Sequence, residues 1–173
     1  MSASLIEPGS NAPAFSLPDQ TGEKHRLADF AGQTVVLYFY PKDDTSGCTI
    51  EAQEFRDAAA AFKKAGAVVL GVSPDDSKSH CKFVDKYALN FTLLADVPGE
   101  DGVPRVCGKY GVWAEKSMYG RTYMGVLRTT YVIGPTGRVE HRFDKVKPAG
   151  HAKQVLAVLR GGETLKNKPR RGK

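Results

Sequence analysis

Apolar positions along the chain fall into short dense runs separated by stretches with helical spacing. Residues 35–40 (VVLYFY) and 67–73 (AVVLGVS) are free of charge and rich in β-branched or aromatic side chains, which is typical of strands covered on both faces. Between them, Phe55, Ala58 and Phe62 recur at three- and four-residue spacing and predict an amphipathic helix. A helix between two buried strands indicates a right-handed parallel crossover.

The pattern on either side of this unit extends the same sheet. Apolar segments at 14–17 and 24–27 flank the turn-rich PDQTG and predict an N-terminal hairpin. Further predicted elements are a helix containing Phe83, Val84 and Tyr87, a strand at 91–95, a hairpin of 126–133 with 138–143, and a closing helix containing Val155 and Leu159. We therefore predict an α/β fold with a mixed central sheet and helices on both faces, formed as a single domain by residues 1–161.

Composition narrows the class of protein. The 173 residues suit one domain, no apolar run approaches the roughly 18 residues of a membrane helix, and the start MSASLIEPG lacks a signal-peptide pattern, so we expect a cytoplasmic protein without a membrane partner. Three cysteines, Cys48, Cys81 and Cys107, are too few and too scattered for a secreted disulfide framework. We interpret them as buried or catalytic, and Cys107 as structural.

The positive charge is concentrated at the C-terminus. The net charge is +6, and residues 160–173 hold six basic side chains against one acid, so five of the six charges lie there. With Gly161, Gly162 and Pro169 nearby, residues 162–173 are predicted to be a mobile basic tail rather than a specific nucleic-acid site.

Cys48 has the sequence surroundings of a reactive thiol. Pro41 cannot donate to a sheet ladder and ends the first strand, and a polar loop then leads to a helix that begins near Cys48. Helix-start N–H groups and the helix dipole favour the thiolate, which is the nucleophilic form. Glu51 and Glu54 are interpreted as first-turn acids that suit the dipole, and no histidine, including His80 and His151, is assigned more than a surface role.

Arg128 is a second candidate, because it lies in a segment expected to be largely buried. A buried charge needs a partner. The sequence leaves two partners equally open, namely a bound oxyanion or thiolate, and a structural ion pair with an acid.

Two blocks resemble a known family. YFYPKDDTSGCT contains Pro41, Thr45 and Cys48 in the spacing PxxxTxxC, which resembles the active-site signature of peroxiredoxins. YGVWAEKSMYGRTYMGVLRTTYVIGPTGRV is similar to the downstream block of the bacterioferritin comigratory protein subfamily, also called the Q type. The resemblance, from about residue 6 to 159, implies a thioredoxin-like fold and thiol-dependent reduction of hydrogen peroxide and organic hydroperoxides, without a cofactor or metal.

The resemblance also implies roles for individual residues. Cys48 would be the peroxidatic nucleophile, Thr45 would hydrogen-bond the peroxide, Pro41 would shield the thiolate, and Arg128 would stabilise thiolate and peroxide oxygens. Thioredoxin or another thiol would be the reductant. Members of the subfamily are often monomers, so we expect a monomer here. The physical chemistry agrees, since fixed donors aimed at the departing oxygen favour the transition state.

The resolving thiol departs from the family pattern. Many members carry it five residues after the nucleophile, where this chain has Gln53, and others on the following helix, where Val84 occupies the expected place. Cys81 lies three residues earlier on that helix and is our candidate, although its reaction with Cys48 would require local unwinding. A one-cysteine cycle with an external thiol is the alternative.

Other classes of function remain as competitors. A thiol-disulfide oxidoreductase would need CxxC, but Thr45 stands at the first position. A zinc site at Cys48, His80 and Cys81 is disfavoured because adjacent helical residues point about 100° apart. A redox-regulated binding or holdase protein that uses the basic tail is the non-enzymatic alternative.

Overall fold

The computed structural model describes the backbone of residues 4–171 and the side chains of residues 4–161. The predicted basic tail, 162–173, therefore lies outside the residues whose side chains are described. No helix in the described part of the chain is both long and apolar enough to cross a bilayer.

Nine strands and five α-helices follow one another along the described chain. The strands are β1 (Ser16–Pro18), β2 (Lys24–Arg26), β3 (Thr34–Phe39), β4 (Ala67–Ser73), β5 (Thr92–Ala95), β6 (Trp113–Met118), β7 (Arg121–Val126), β8 (Thr129–Ile133) and β9 (Val139–Phe143). The helices are α1 (Ser46–Asp57), α2 (Ala59–Lys64), α3 (Ser77–Tyr87), α4 (Arg105–Lys109) and α5 (His151–Arg171), with non-helical backbone at Gly161 inside α5. A short 3₁₀ helix spans Leu27–Phe30.

The central sheet has five strands in the order β5-β4-β3-β8-β9. Strands β3, β4 and β5 pair in parallel, whereas β8 pairs antiparallel with both β3 and β9. Strand β3 is thus central, as its charge-free sequence predicts. The mixed α/β fold, the β3-α1/α2-β4 crossover and the N-terminal hairpin of β1 and β2 are confirmed.

Two apolar cores cover the two faces of the sheet. One joins alternate β3 residues, including Val35 and Leu37, to the N-terminal hairpin, α4 and Tyr131. The other joins Val36 and Tyr38 to side chains of α1, α2, α3 and α5. Helices thus lie on both faces, as predicted, but the longer ones share one face, and α1 carries Cys48 into that core.

The predicted hairpin of 126–133 with 138–143 forms as β8 and β9, but its first strand is shorter than expected. Residues 126–133 do not form one strand, because β7 ends at Val126 and β8 begins at Thr129. Strand β7 pairs instead with β6 in a separate two-stranded hairpin that the sequence reading did not predict. Leu127 and Arg128 therefore form a short connection between the hairpin and the central sheet.

Candidate active site

Cys48 lies in the first turn of α1, at the end of the loop that follows β3. Thr45 occupies the N-cap position with extended backbone, and its carbonyl accepts the first helical bond from Thr49 N at 2.8 Å. The Cys48 side chain is only 1% exposed. The thiol is therefore held where helix-start N–H groups and the dipole favour its anion.

Arg128, on the connection between β7 and β8, approaches this thiol. Its Nη2 lies 3.3 Å from Cys48 Sγ. Gly47 lies beside this contact, because a Cβ atom there would lie 3.4 Å from Arg128 Nη2 and a tighter 3.2 Å from Pro148 Cγ. The two predicted residues Cys48 and Arg128 are thus in direct contact, although 80 positions separate them.

Glu51 completes this contact and was missed as a site residue. It lies one helical turn after Cys48, on the same face of α1, and its Oε1 accepts a bond of 2.6 Å from Arg128 Nη1. The Glu51 side chain is fully buried, so this acid, interpreted from the sequence only as suiting the helix dipole, is an internal group. Arg128 therefore has both partners that the sequence left open, a thiol and a carboxylate.

Burial controls the electrostatics of this triad. It raises the pKa of Glu51 to about 7, against the lowering effect of the Arg128 guanidinium. Burial alone would lower the pKa of Arg128, but the neighbouring Glu51 and Cys48 anions together raise it above its ordinary value. Glu51 Oε2 and the Tyr38 hydroxyl have no hydrogen-bond partner among the described residues. The arginine thus stays charged beside a carboxylate that is costly to ionise.

Thr45 and Pro41 lie on the loop that leads from β3 to Cys48. Thr45 is exposed, and its hydroxyl donates to the Lys42 carbonyl at 3.1 Å. Pro41 is half-buried at the start of the loop, directly after Tyr40, whose N–H donates to Val72 O at 3.0 Å. Because a hydroxyl carries one hydrogen, Thr45 can donate to another group only after it releases the Lys42 carbonyl.

Cys81 lies on α3 and is exposed, whereas Cys48 is buried, and all three cysteines are free thiols. The Asp85 carboxylate, one turn later on α3, lies 4.0 Å from Cys81 Sγ. Cys107 is buried with its N–H donating to Asp96 at 2.7 Å, and burial raises the pKa of its thiol well above the ordinary value. The structure therefore does not bring Cys48 and Cys81 together in its folded form.

His80, which neighbours Cys81, corrects the expectation of a surface histidine. It is fully buried, with Nδ1 2.7 Å from Asp43 Oδ2 and Nε2 2.9 Å from the Leu94 carbonyl. Asp43 belongs to the loop that leads to Cys48, so this pair ties that loop to α3. His151 is buried as well, with Nε2 2.7 Å from Thr130 Oγ1.

Asp43, Asp75 and His80 have ligand atoms close enough together to suggest a metal site. However, Asp43 already accepts bonds from the Tyr40 and Ser79 hydroxyls at 2.6 and 2.7 Å in addition to its contact with His80. These donors use the oxygen lone pairs that a cation would need. The cluster is best explained as the internal hydrogen-bond network of the loop.

A profile of the AhpC/TSA family matches residues 8–142. The chain is similar to Peroxiredoxin Bcp of Escherichia coli strain K12, with 47% identity over 90% of this chain and 96% of the relative. It is also 41% identical to Peroxiredoxin Bcp of Bacillus subtilis strain 168, over 90% of this chain and 96% of that one.

A solved structure gives the same relationship in three dimensions. Bacterioferritin comigratory protein of Xanthomonas campestris, whose trapped intermediate and ligand complex structures address its alkyl peroxide reduction activity, superimposes with a TM-score of 0.79. The two chains are 39% identical over 93% of this chain and 99% of the other. Together with the thiol, arginine and helix start described above, these matches show that the chain belongs to the AhpC/TSA family and is a peroxiredoxin of thioredoxin-like fold.

Proposed function

We propose that this peroxiredoxin reduces hydrogen peroxide and organic hydroperoxides, including alkyl peroxides, with Cys48 as its nucleophile. The observation that carries the proposal is the 3.3 Å contact between Arg128 Nη2 and Cys48 Sγ at the start of α1. A cation and a helix start both favour the thiolate over the thiol. The alkyl peroxide activity addressed for the Xanthomonas relative supports the substrate class.

The chemical step is a displacement on oxygen. The Cys48 thiolate attacks one peroxide oxygen, the S–O bond forms as the O–O bond breaks, and the leaving oxygen departs as water or an alcohol after it takes up a proton. Cys48 becomes a sulfenic acid and the peroxide is reduced. Arg128 can stabilise the developing charge because its guanidinium is already fixed by Glu51, and Thr45 supplies a hydroxyl donor after it leaves the Lys42 carbonyl.

Cys81 is the proposed resolving residue. Its thiol attacks the sulfenic sulfur, water leaves, and a Cys48–Cys81 disulfide results. Its exposure on α3 supports this role, because local unwinding of an exposed helix can release it toward Cys48. Thioredoxin or another dithiol would then take the disulfide back to two thiols, and the enzyme would act as a cytoplasmic monomer.

A one-cysteine cycle is the second candidate, favoured by the burial of Cys48 and the exposure of Cys81 on separate elements. In that cycle an external thiol reduces the sulfenic acid directly. Peptide mapping by mass spectrometry under non-reducing conditions, after one equivalent of peroxide, distinguishes the two. We expect a peptide that links Cys48 to Cys81, and its absence together with a trapped Cys48 sulfenic acid would establish the one-cysteine cycle instead.

A redox-regulated binding or holdase role through the basic tail is the non-enzymatic competitor. Deletion of residues 162–173 should leave peroxide turnover unchanged if the chemistry resides in the site around Cys48. Loss of turnover on that deletion would favour the competitor.

A further inference from the structure

Lys116, on β6 of the β6-β7 hairpin, is a charged residue to which the family resemblance assigns no role. It is half-buried, and its Nζ donates to the carbonyl of Val126 at 3.0 Å. Val126 is the last residue of β7, two positions before Arg128. The lysine thus reaches across the hairpin to the segment that delivers the active-site arginine.

The path of the Lys116 side chain depends on a glycine. A Cβ atom built at Gly125 would lie 3.0 Å from Lys116 Cδ, so the aliphatic stem crosses the neighbouring strand where that strand has no side chain. Lys116 pairs with Tyr123 in the ladder, and alternate residues of a strand share one face, so Gly125 lies on the face that Lys116 occupies. Sequence spacing and local packing therefore direct the ammonium group toward Val126.

The connection that carries Arg128 is held at three consecutive carbonyls. Lys116 donates to that of Val126, Thr129 Oγ1 donates to that of Leu127 at 3.1 Å, and Val146 N donates to that of Arg128 at 3.0 Å. Thr129 directly follows the connection, and Val146 lies on the loop after β9. Lys116 is the charged donor, and it fixes the side of the connection that faces the hairpin.

The charge of Lys116 also reaches the site. The pKa of Lys116 is lowered, first by burial and then by repulsion from Arg128, while attraction to Cys48 opposes this lowering. Lys116 therefore lies within electrostatic range of both Arg128 and Cys48.

We propose that Lys116 is a positioning residue of the peroxidase site, which holds the Val126–Arg128 connection so that Arg128 points at Cys48. This inference rests on the proposed role of Cys48 as nucleophile. It assigns the β6-β7 hairpin a function in catalysis rather than only in packing.

The test uses Lys116→Met, Lys116→Arg and Gly125→Ala in the otherwise unchanged chain. The readouts are the rate of Cys48 alkylation at a fixed neutral pH, which reports the thiolate fraction, and the rate constant for reaction with hydrogen peroxide. Lys116→Met should lower both by roughly two- to fivefold, and Lys116→Arg should restore most of the loss. Gly125→Ala keeps the charge but displaces the stem, so it should cause a smaller loss that disappears in the Lys116→Met background.

Lys109→Met is the matched control, because Lys109 Nζ also donates to a carbonyl, that of Ala14 at 3.0 Å, on a different part of the molecule. It should leave both rates at the wild-type value. Wild-type rates in Lys116→Met, equal losses in Lys109→Met, or additive effects of Gly125→Ala and Lys116→Met would each overturn the inference. Failure of wild-type Cys48 to react with peroxide at all would instead overturn the proposed function.

Discussion

Arg128 and Glu51 form a buried ion pair of 2.6 Å, and the second nitrogen of the same guanidinium lies 3.3 Å from Cys48 Sγ. The planar fork of arginine is what allows one side chain to meet both groups in fixed directions. Glu51 thus orients the guanidinium through Nη1, while the Cys48 thiol accepts the N–H of Nη2. The carboxylate and the thiol also share one positive charge, so the ionisation of Glu51 affects how strongly Arg128 can stabilise a Cys48 thiolate.

Glu51→Gln should change how stability depends on pH. The pKa of Glu51 is 4.5 for the ordinary group and about 7 in the folded protein, because burial disfavours its anion. Between these values the folded state keeps a proton that the unfolded state has released, so the free energy of unfolding falls as pH rises through this window. Glutamine does not titrate, so Glu51→Gln removes this pH dependence while its amide oxygen can still accept a hydrogen bond from Arg128.

Urea unfolding at the two ends of the window measures the effect. The stability of Glu51→Gln relative to wild type should rise with pH, by on the order of 2 kcal/mol. Glu54→Gln is the matched control, because Glu54 lies on the same helix as Glu51 and its Oε1 accepts the Gly150 N–H at 2.8 Å. Parallel curves for Glu51→Gln and wild type would show that Glu51 does not titrate in this range.

Arg128→Ala should be harmful in two separable ways. It removes the cation that favours the Glu51 anion, so buried Glu51 should take up a proton and remain as an unpartnered polar group, which costs about 1 to 3 kcal/mol in stability. It also removes the cation at the thiol, which should slow the reaction with peroxide by about 10²-fold.

The double variant Arg128→Ala with Glu51→Gln separates the two effects. Glutamine needs no counter-charge, so the double variant should recover much of the lost stability in urea unfolding. Its rate constant with peroxide should remain low. Recovery of the rate along with the stability would mean that Arg128 acts only as a structural partner of Glu51.

Thr45 is expected to contribute through its hydroxyl and not through its methyl group. Its hydroxyl donates to Lys42 O in the structure and must rotate to meet a peroxide. Thr45→Val should therefore lower the peroxide rate constant by roughly 10²-fold, as for the loss of one donor to a developing oxyanion, whereas Thr45→Ser should stay near wild type. Stopped-flow measurement of both variants checks this, and equal rates for serine and valine would rule the hydroxyl out.

His80→Asn should speed formation of the Cys48–Cys81 disulfide. The bond of His80 to Asp43 ties α3 to the loop before Cys48, and unwinding of α3 has to break it. The shorter amide should weaken this tie, so the disulfide should form faster after peroxide is added, while the preceding oxidation of Cys48 keeps its rate. Rapid quenching followed by non-reducing peptide mapping measures both steps, and an unchanged disulfide rate would show that the His80–Asp43 bond does not limit α3 unwinding.

Much of the fold followed from local sequence pattern, because the buried strands β3 and β4 are dense charge-free runs. Hairpin β6-β7 did not, since most of its residues are exposed and it lacks an apolar face of its own. The sequence of such a hairpin has no regular alternation of apolar and polar residues from which a strand could be predicted.

Some site residues could likewise be predicted from local sequence, and others could not. Cys48 and Arg128 could be found from a helix start and from a charge in an apolar segment. Glu51 could not, because an acid in a first helical turn satisfies the dipole at the surface equally well, and its burial depends on an arginine 77 positions away. His80 was misplaced for the same reason, since its burial depends on Asp43, 37 positions earlier.

Peroxide consumption by Cys48→Ser, beside Cys81→Ser and wild type with the same thiol reductant, is the most direct test of the central claim. Cys48→Ser should consume no peroxide above the reductant alone, because serine cannot supply a thiolate at the start of α1. Cys81→Ser should still react with one equivalent of peroxide and accumulate a Cys48 sulfenic acid that a sulfenic-acid trapping reagent captures. Continued turnover by Cys48→Ser would contradict the account.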